Sequence, residues 1–267
     1  MCGTCGCGQS DVRVLAPGGP PDHGHRHRHD EDSGFPHVHD PVPGIVEIET
    51  ALLAKNDHLA EHNRAWLAER GILALNLMSS PGSGKTSLLR RTIAELAPDR
   101  PVGVVEGDQE TAIDAEKIRG TGAPVVQINT GAGCHLDAAM LARGLETLRP
   151  PDGSLVFVEN VGNLVCPALF DLGEAAKVVV VSVTEGEDKP LKYPYMFAVA
   201  DVVVINKIDL LPYVDVRLDH LTEHCRSVNP RVQVLPLSVT SGEGMRAWRD
   251  WLLTCTPVAD PSRTPVG

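Results

Sequence analysis

An α/β architecture, a mostly parallel sheet flanked by helices, follows from three features of this 267-residue chain. Short β-branched runs recur along its middle, stretches with helical spacing alternate with them, and the runs at 178–181 and 202–205 are apolar without a break. Strands covered on both faces read as continuous apolar runs, and sheets covered in that way are typically parallel.

The elements follow in order. Residues 1–44 hold 14 Gly or Pro, six His and three Cys and few large apolar side chains. Burial there cannot offset the entropy of ordering, so a flexible arm is expected. A helix is expected over 46–69, with Leu52, Leu53, Leu59, Trp66 and Leu67 on one packed face. Strands are expected at 72–78, 101–106, 124–128, 154–159, 177–184, 201–206 and 231–238. Helices at 85–96, 136–148, 214–227 and 245–253 would join them as right-handed crossovers. Residues 45–256 thus read as one domain, and 257–267, with Pro257, Pro261 and Pro265, as a second flexible tail.

Charge narrows the function classes. Lys and Arg total 24 against 35 Asp and Glu, a formal charge of −11, which repels nucleic-acid backbones and anionic lipid. No apolar run approaches the roughly 18 residues of a membrane span, so neither nucleic-acid binding nor membrane insertion is expected. The opening residues carry cysteines and glycines instead of a basic segment and an apolar h-region, so a cytoplasmic location is expected. Seven cysteines cannot all pair within one chain, and in a reducing compartment a close cluster points to metal or redox chemistry.

Directly after the first strand comes Ser79-Ser80-Pro81-Gly82-Ser83-Gly84-Lys85-Thr86, followed by the helical Ser87-Leu88-Leu89-Arg90-Arg91. Strand, glycine loop and helix together make a phosphate cradle. Backbone N–H groups of Gly82, Ser83 and Gly84 wrap the phosphates, Lys85 reaches the β and γ oxygens, the Thr86 hydroxyl suits Mg²⁺, and Ser87 lies in the first turn of the helix. Ser79 stands where the usual pattern has glycine. The strand at 201–206 runs into Asn206-Lys207-Ile208-Asp209, which resembles the NKxD element of GTPases. A carboxylate such as Asp209 accepts from the guanine N1 and exocyclic amino groups, which adenine does not offer, so GTP and GDP are favoured over the adenine nucleotides. Ser238 follows the last strand and resembles the loop that backs guanine. Asp108 and Glu159, each at a strand C-terminus, complete a magnesium nucleotide site. Glu159-Asn160-Val161-Gly162 occupies the place of the common Asp-x-x-Gly switch, with Glu for Asp, and hard Mg²⁺ accepts either carboxylate. Lys85, Asp108 and Glu159 are the catalytic candidates.

Three groups carry metal chemistry. Cys2, Cys5 and Cys7 bring three thiols into six residues, and removal of the initiator Met would add the α-amino group of Cys2. Thiolates and an amine suit square-planar Ni²⁺ as well as tetrahedral Zn²⁺. A redox Cys-x-x-Cys normally opens a helix after a strand, a scaffold not foreseen here. His23, His25, His27 and His29 alternate and read either as a weak divalent-ion buffer or as a solvated tail. Cys134-His135 precedes the helical stretch 136–148, and Cys166 lies seven residues beyond Glu159. Cys166 alone reads equally as a packing thiol or a ligand. With Cys134 and His135 it makes three donors, which need a water or ligands shared across a twofold dimer. Movement of 159–162 with the γ-phosphate would also move Cys166, coupling nucleotide state to metal affinity. Cys225 and Cys255 read as packing residues, and the pairs His58 with His62 and His220 with His224 as helix-surface residues.

These pieces together resemble the hydrogenase nickel incorporation GTPases of the HypB family over nearly the whole chain. The resemblance rests on 79–86, Glu106-Gly107-Asp108-Gln109, Gly133-Cys134-His135-Leu136-Asp137, 159–167, and Glu185-Gly186-Glu187-Asp188-Lys189-Pro190. It implies a P-loop GTPase that dimerises with GTP and delivers nickel to the large-subunit precursor of [NiFe]-hydrogenase, with the accessory protein HypA as partner. It also implies a high-affinity nickel site at Cys2, Cys5 and Cys7 and a weaker nickel or zinc site at Cys134, His135 and Cys166. Relatives in the wider class often carry a lysine ahead of the loop, where this chain has Ser80. Slow intrinsic hydrolysis is therefore expected, since an added cation at the transition state contributes factors of about 10³ to 10⁵. Two other readings compete: a nickel GTPase serving another enzyme, of the urease accessory type, and a non-catalytic nickel store.

Overall fold

Seven strands, all paired in parallel, form the sheet of the computed structural model of the protein, which describes residues 43–96, 100–108, 113–131 and 133–255. They are β1 (Leu73–Ser79), β2 (Val102–Asp108), β3 (Val125–Asn129), β4 (Leu155–Glu159), β5 (Ala176–Ser182), β6 (Val202–Asn206) and β7 (Gln233–Pro236). Their order across the sheet is β3-β2-β4-β1-β5-β6-β7. The expected α/β fold with a parallel sheet is therefore the observed one. β1 is central, with strands added on either side, so the loop that follows it opens at the point where the winding reverses, where such sheets bind ligands.

The helices are α1 (Pro43–Glu69), α2 (Lys85–Leu96), α3 (Ile113–Arg119), α4 (Ala138–Leu148), α5 (Cys166–Leu169), α6 (Lys189–Lys192), α7 (Pro194–Ala198), α8 (Leu218–Val228) and α9 (Met245–Thr254). Leu73, Leu75 and Leu77 of β1 face a core shared with Leu88, Leu89 and Ile93 of α2 and Met245, Trp248 and Leu252 of α9. The opposite face of the sheet packs against α4 near β1, β2 and β4, and against α7 and α8 near β5 and β6. Trp248 is fully buried and its indole N–H donates to Thr92 Oγ1 at 2.8 Å, so its one polar atom is satisfied. Among the described residues no helix is long and apolar enough to cross a membrane.

Boundaries moved where a capping group intervened. The helix expected from residue 136 starts at Ala138, because the side chain of Asp137 accepts from Met140 N at 2.7 Å and caps it. The strand expected to reach residue 184 ends at Ser182, whose hydroxyl caps a 3₁₀ turn at Val183–Glu185. The strand expected over 231–238 is confined to Gln233–Pro236. Helices α3, α5, α6 and α7 were not foreseen, being seven residues or fewer, with a proline opening three of them. The expected arm with Cys2, Cys5, Cys7, His23, His25, His27 and His29, and the expected tail, lie outside the described residues.

Backbone packing divides the chain into Met1–Leu52 and Leu53–Gly267, a division that falls within α1. From Leu53 onward the buried stripe of α1 is Asn56, Ala60, Asn63 and Leu67. The expected stripe was the apolar set. Leu67 is indeed buried and Leu53 and Trp66 pack partly on the core, but Leu52 is exposed. Side-chain amides displaced the leucines because they have partners. Asn56 donates to Asp171 O at 2.8 Å and accepts from Ala138 N at 2.9 Å, while Asn63 donates to Ala138 O at 2.8 Å and Leu172 O at 3.0 Å. Two of these bonds hold the start of α4 against α1 and two hold the segment 171–172 there.

Gly173 permits that approach. Its φ is +86°, and a Cβ there would stand 2.4 Å from Ala60 O and 2.8 Å from Arg64 N. Gly173→Ala is expected to destabilise the fold by about 2–5 kcal/mol, combining left-handed strain with overpacking against backbone. Gly122→Ala, at φ +86° with nothing within 4 Å, should cost only about 1–2 kcal/mol. Urea denaturation of both variants checks the difference.

Candidate nucleotide and metal site

The loop after β1 is built to fold back on itself. Gly82 and Gly84 sit at φ +80° and +97°, in the left-handed region that side chains avoid. A Cβ on Gly84 would lie 2.4 Å from Asn206 Nδ2, and that nitrogen donates to Ser83 O at 2.9 Å. Lys207 Nζ donates to Gly82 O at 2.7 Å. The end of β6 therefore buttresses the glycine loop, through two residues expected to face the nucleotide. Asn206 Oδ1 accepts from Lys207 N at 2.8 Å and Val239 N at 3.3 Å, which ties in the loop after β7. Ser238 is buried there and its hydroxyl accepts from Ser241 N at 3.0 Å, shaping the turn. Ser87 is exposed in the first turn of α2.

Lys85 Nζ and Thr86 Oγ1 both donate to Glu159 Oε1, at 2.8 and 2.7 Å. Glu159 is 1% exposed at the end of β4. Its register partner on β2 is Glu106, likewise buried. Burial, with the charges of Glu159, Asp108 and Asp114 adding to it, pushes the Glu106 carboxyl up to about 7. For Asp114 at the start of α3, burial acts upward, but the Lys117 ammonium, the Thr86 hydroxyl and Lys85 outweigh it and hold the carboxyl below its ordinary range. Asp108 is the half-buried last residue of β2. Glu106 and Asp114 are the residues missed from sequence. Glu106 was legible, since residues two apart on a strand share a face and Asp108 was already a candidate.

Four buried side-chain atoms among the described residues lack a hydrogen-bond partner: Ser83 Oγ, Glu106 Oε2, Glu159 Oε2 and Asp209 Oδ1. Buried polar atoms are normally paired, and all four belong to the glycine loop, its carboxylates or the Asn206–Asp209 segment. Carboxylate oxygens near a phosphate loop repel phosphate unless a hard divalent ion stands between, and Asp209 offers an acceptor to a donor-bearing base.

A second group lies next to this one. One donor atom each from Cys134, His135 and Cys166 lies within 4.8 Å of the others, the one such set of three among the described residues. Cys134 Sγ and His135 Nδ1 are 3.7 Å apart. Two thiolates on one tetrahedral ion with metal–sulfur bonds of about 2.3 Å would be about 3.8 Å apart, so roughly an ångström of closure makes a three-donor site. The His135 ring stacks on Phe170, with centroids 3.9 Å apart and planes 24° from parallel. Burial lowers its pKa, against the raising effect of Asp137, and favours the neutral imidazole that ligates metals. Cys166 is buried at the start of α5.

Among the described residues the other thiols and imidazoles stand apart. Cys225 is buried in the core under α8, and Cys255 packs partly against the α2/α9 core, as expected of packing residues. His58 and His62 are exposed, their Nε2 atoms 3.2 Å apart. His220 and His224 are half-buried, with ring nitrogens 3.2 Å from Glu187 Oε1 and 2.7 Å from Glu187 O. The expected surface role holds for the first pair, whereas the second pins the 185–190 loop.

Residues 73–236 match the family described as CobW/HypB/UreG, nucleotide-binding domain. The hydrogenase maturation factor HypB of Escherichia coli (strain K12) is 46% identical over 286 residues, spanning 95% of this chain and 99% of that protein. The chain belongs to the HypB family of hydrogenase maturation factors. Among solved structures, HypB from Archaeoglobus fulgidus is 42% identical with a TM-score of 0.71, covering 75% of this chain and 98% of that one. A structure of HypB from Helicobacter pylori in complex with nickel is 38% identical with a TM-score of 0.70, covering 74% and 94%. HypB membership joins a nucleotide-binding domain to hydrogenase maturation, and both expectations drawn from the sequence motifs stand.

Cys225 supplies a control for thiol chemistry on this HypB chain. Burial pushes its pKa up to about 12, so at pH 8 it remains a thiol, which is a poor nucleophile. Iodoacetamide at pH 8 is expected to leave Cys225 unmodified in the folded protein and to modify it on unfolding, as peptide mass spectrometry would show.

Proposed function

We propose that the chain is a GTP-hydrolysing nickel metallochaperone that supplies nickel for maturation of [NiFe]-hydrogenase. One observation carries this reading. Cys166, a member of the three-donor metal group, lies seven positions beyond Glu159, which is bonded to Lys85 and Thr86. A change of phosphate content at Glu159 is transmitted along a short segment to Cys166.

In this reading Gly82, Ser83, Gly84, Lys85, Thr86 and Ser87 cradle the phosphates, and Asp209 names the base, with Asn206, Lys207 and Ser238 holding the loops around it. Lys85 orients and charge-balances the γ-phosphate. Thr86, Asp108 and Glu159 hold Mg²⁺, whose bound charge would offset that gathering on the phosphate oxygens during transfer. Glu106 and Asp114 add to the negative charge that makes a cation necessary. Ser80 is hydrogen-bonded to Glu185 and carries no charge, which fits slow turnover by the isolated chain. Cys134, His135 and Cys166 take Ni²⁺ or Zn²⁺ as cargo, with a fourth position open to water or to an acceptor. Cys2, Cys5 and Cys7 form a tighter nickel site, and His23, His25, His27 and His29 buffer the ion. The partners of this cycle are a second copy of the chain in a GTP-dependent dimer, the accessory protein HypA and the hydrogenase large-subunit precursor. The whole-length likeness to HypB favours this reading over a urease accessory role or a passive store.

Three measurements test it. Nickel titration of full-length protein should resolve two phases, one lost in Cys2→Ser/Cys5→Ser/Cys7→Ser and the other in Cys134→Ser/Cys166→Ser; loss of both phases in either variant contradicts two sites. Asp209→Ala should weaken GDP binding by about 10- to 100-fold, the worth of hydrogen bonds to a charged acceptor, with the melting temperature unchanged. Single-turnover GTP hydrolysis should run far below about one per second; a rate of many per second contradicts the assignment of Ser80.

A further inference from the structure

Asn160 follows Glu159 and is 1% exposed. Its backbone N–H donates to Leu77 O at 3.0 Å, fixing it to β1. Its side-chain oxygen accepts from Leu136 N and from Val161 N, both at 3.0 Å. Leu136 directly follows the metal donors Cys134 and His135. The side-chain nitrogen of Asn160 donates to Asn76 Oδ1 at 3.2 Å, and Asn76 Nδ2 donates to Glu174 Oε1 at 3.2 Å. Glu174 Oε2 in turn accepts from Leu172 N at 2.7 Å. Asn76 and Glu174 are buried as well. One buried bond thus joins the residue beside Glu159 to the backbone N–H that follows Cys134 and His135, while Asn76 and Glu174 fix the other end of the Asn160 amide.

The chain has few ways to relax. Water cannot replace a bond between groups with no exposure, so a shift of Asn160 must carry Leu136 with it or leave the Leu136 amide unpaired. On its far side the same donor segment is anchored by α1, where Asn56 and Asn63 hold both the N–H and the carbonyl of Ala138. With Ala138 held by α1, a displacement of β4's end reaches Cys134 and His135 through Leu136, the residue directly after them. This path differs from the one through Cys166, which follows the chain along 160–166.

We propose that Asn160 is a positioning residue that couples nucleotide state to metal affinity by holding Leu136, and with it Cys134 and His135, in register with Glu159. The proposal rests on the nucleotide-gated nickel reading above and assigns the element that transmits it.

The test uses the full chain carrying Cys2→Ser, Cys5→Ser and Cys7→Ser, so that thiolate-to-nickel charge-transfer absorption reports the Cys134 and Cys166 thiols. Nickel sulfate is titrated with Mg²⁺ plus either GDP or a non-hydrolysable GTP analogue, before and after Asn160→Ala. The expected result is a ratio of nickel affinities of about fivefold or more between the two nucleotides, falling to within about twofold of unity in Asn160→Ala with GDP affinity retained and the melting temperature lowered by the loss of buried hydrogen bonds. A ratio of one in the parent protein overturns the nucleotide-gated reading itself. A ratio kept intact by Asn160→Ala overturns the role of Asn160 and leaves that reading standing. Should Asn160→Ala not fold, amide hydrogen exchange of the unsubstituted protein decides: Leu136 N–H should exchange at different rates in the two nucleotide states, while Arg149 N–H, bonded to Leu145 O at the far end of α4, should not. Equal rates at Leu136 overturn the proposal.

Discussion

A buried carboxylate that is only half satisfied governs this molecule. Glu159 Oε1 holds the Lys85 ammonium and the Thr86 hydroxyl, and the pair is almost dry, with side-chain exposures of 2% and 11% for Glu159 and Lys85. Removing two charges from water costs several kcal/mol per ion, and their attraction repays it only when the remaining hydrogen-bonding atoms are met. Here Oε2 is not met, and neither is Oε2 of the neighbouring Glu106. Stability therefore does not explain the arrangement. It is explained by a demand for positive charge at the end of β4, which a hard cation between the two strands would supply.

Sheet geometry makes that demand local. Parallel strands in register bring Glu106 and Glu159 side by side at the C-terminal edge, one strand away from the loop that follows β1. Strand β6 contributes from the other direction, its last residue and the next one reaching back to the loop carbonyls of Ser83 and Gly82. Gly84 has to be glycine for this contact, since a Cβ would occupy the place of the Asn206 amide. The glycine loop, the carboxylates and the Asn206–Asp209 segment thus form one mechanical unit. A disturbance at any of them is felt by the other two through bonds shorter than 3 Å.

The sheet was legible because its strands are uniformly apolar and its loops carry the turn chemistry of a phosphate site. Seven strands were recognisable in order, and α2 over its whole length, since Lys85 begins it and periodic leucines continue it. Asp108, Glu159, Cys134, His135 and Cys166 were recognisable by residue type at strand ends and loop starts. What escaped shares a physical cause. Asn56, Asn63, Asn76 and Asn160 are buried polar side chains whose value lies in partners distant in sequence, and no periodicity of hydrophobic residues reveals them. The packed face of α1 was misread for that reason, with an asparagine stripe taking the place of part of the leucine one. Short helices α5 to α7 were invisible because their prolines read as breaks, although proline suits the first turn of a helix.

The metal group shows why buried asparagines matter beyond packing. Three donors from two segments do not close a tetrahedral site, and a site with an open position exchanges its ion more readily than one with four protein ligands. Such a site is defined by where its segments are held rather than by the ion itself. Cys166 is held by the chain that leaves Glu159, and Cys134 and His135 through the residues that follow them, Leu136 bonded to Asn160 and Ala138 to Asn56 and Asn63. Phe170, stacked on His135, is itself part of the core beneath α1 and α4. Small displacements of β4's end therefore alter the distance between the two donor segments while the fold around them stays rigid. On the proposed reading, affinity for a transition ion, steeply dependent on that distance, is the property most sensitive to what occupies the glycine loop.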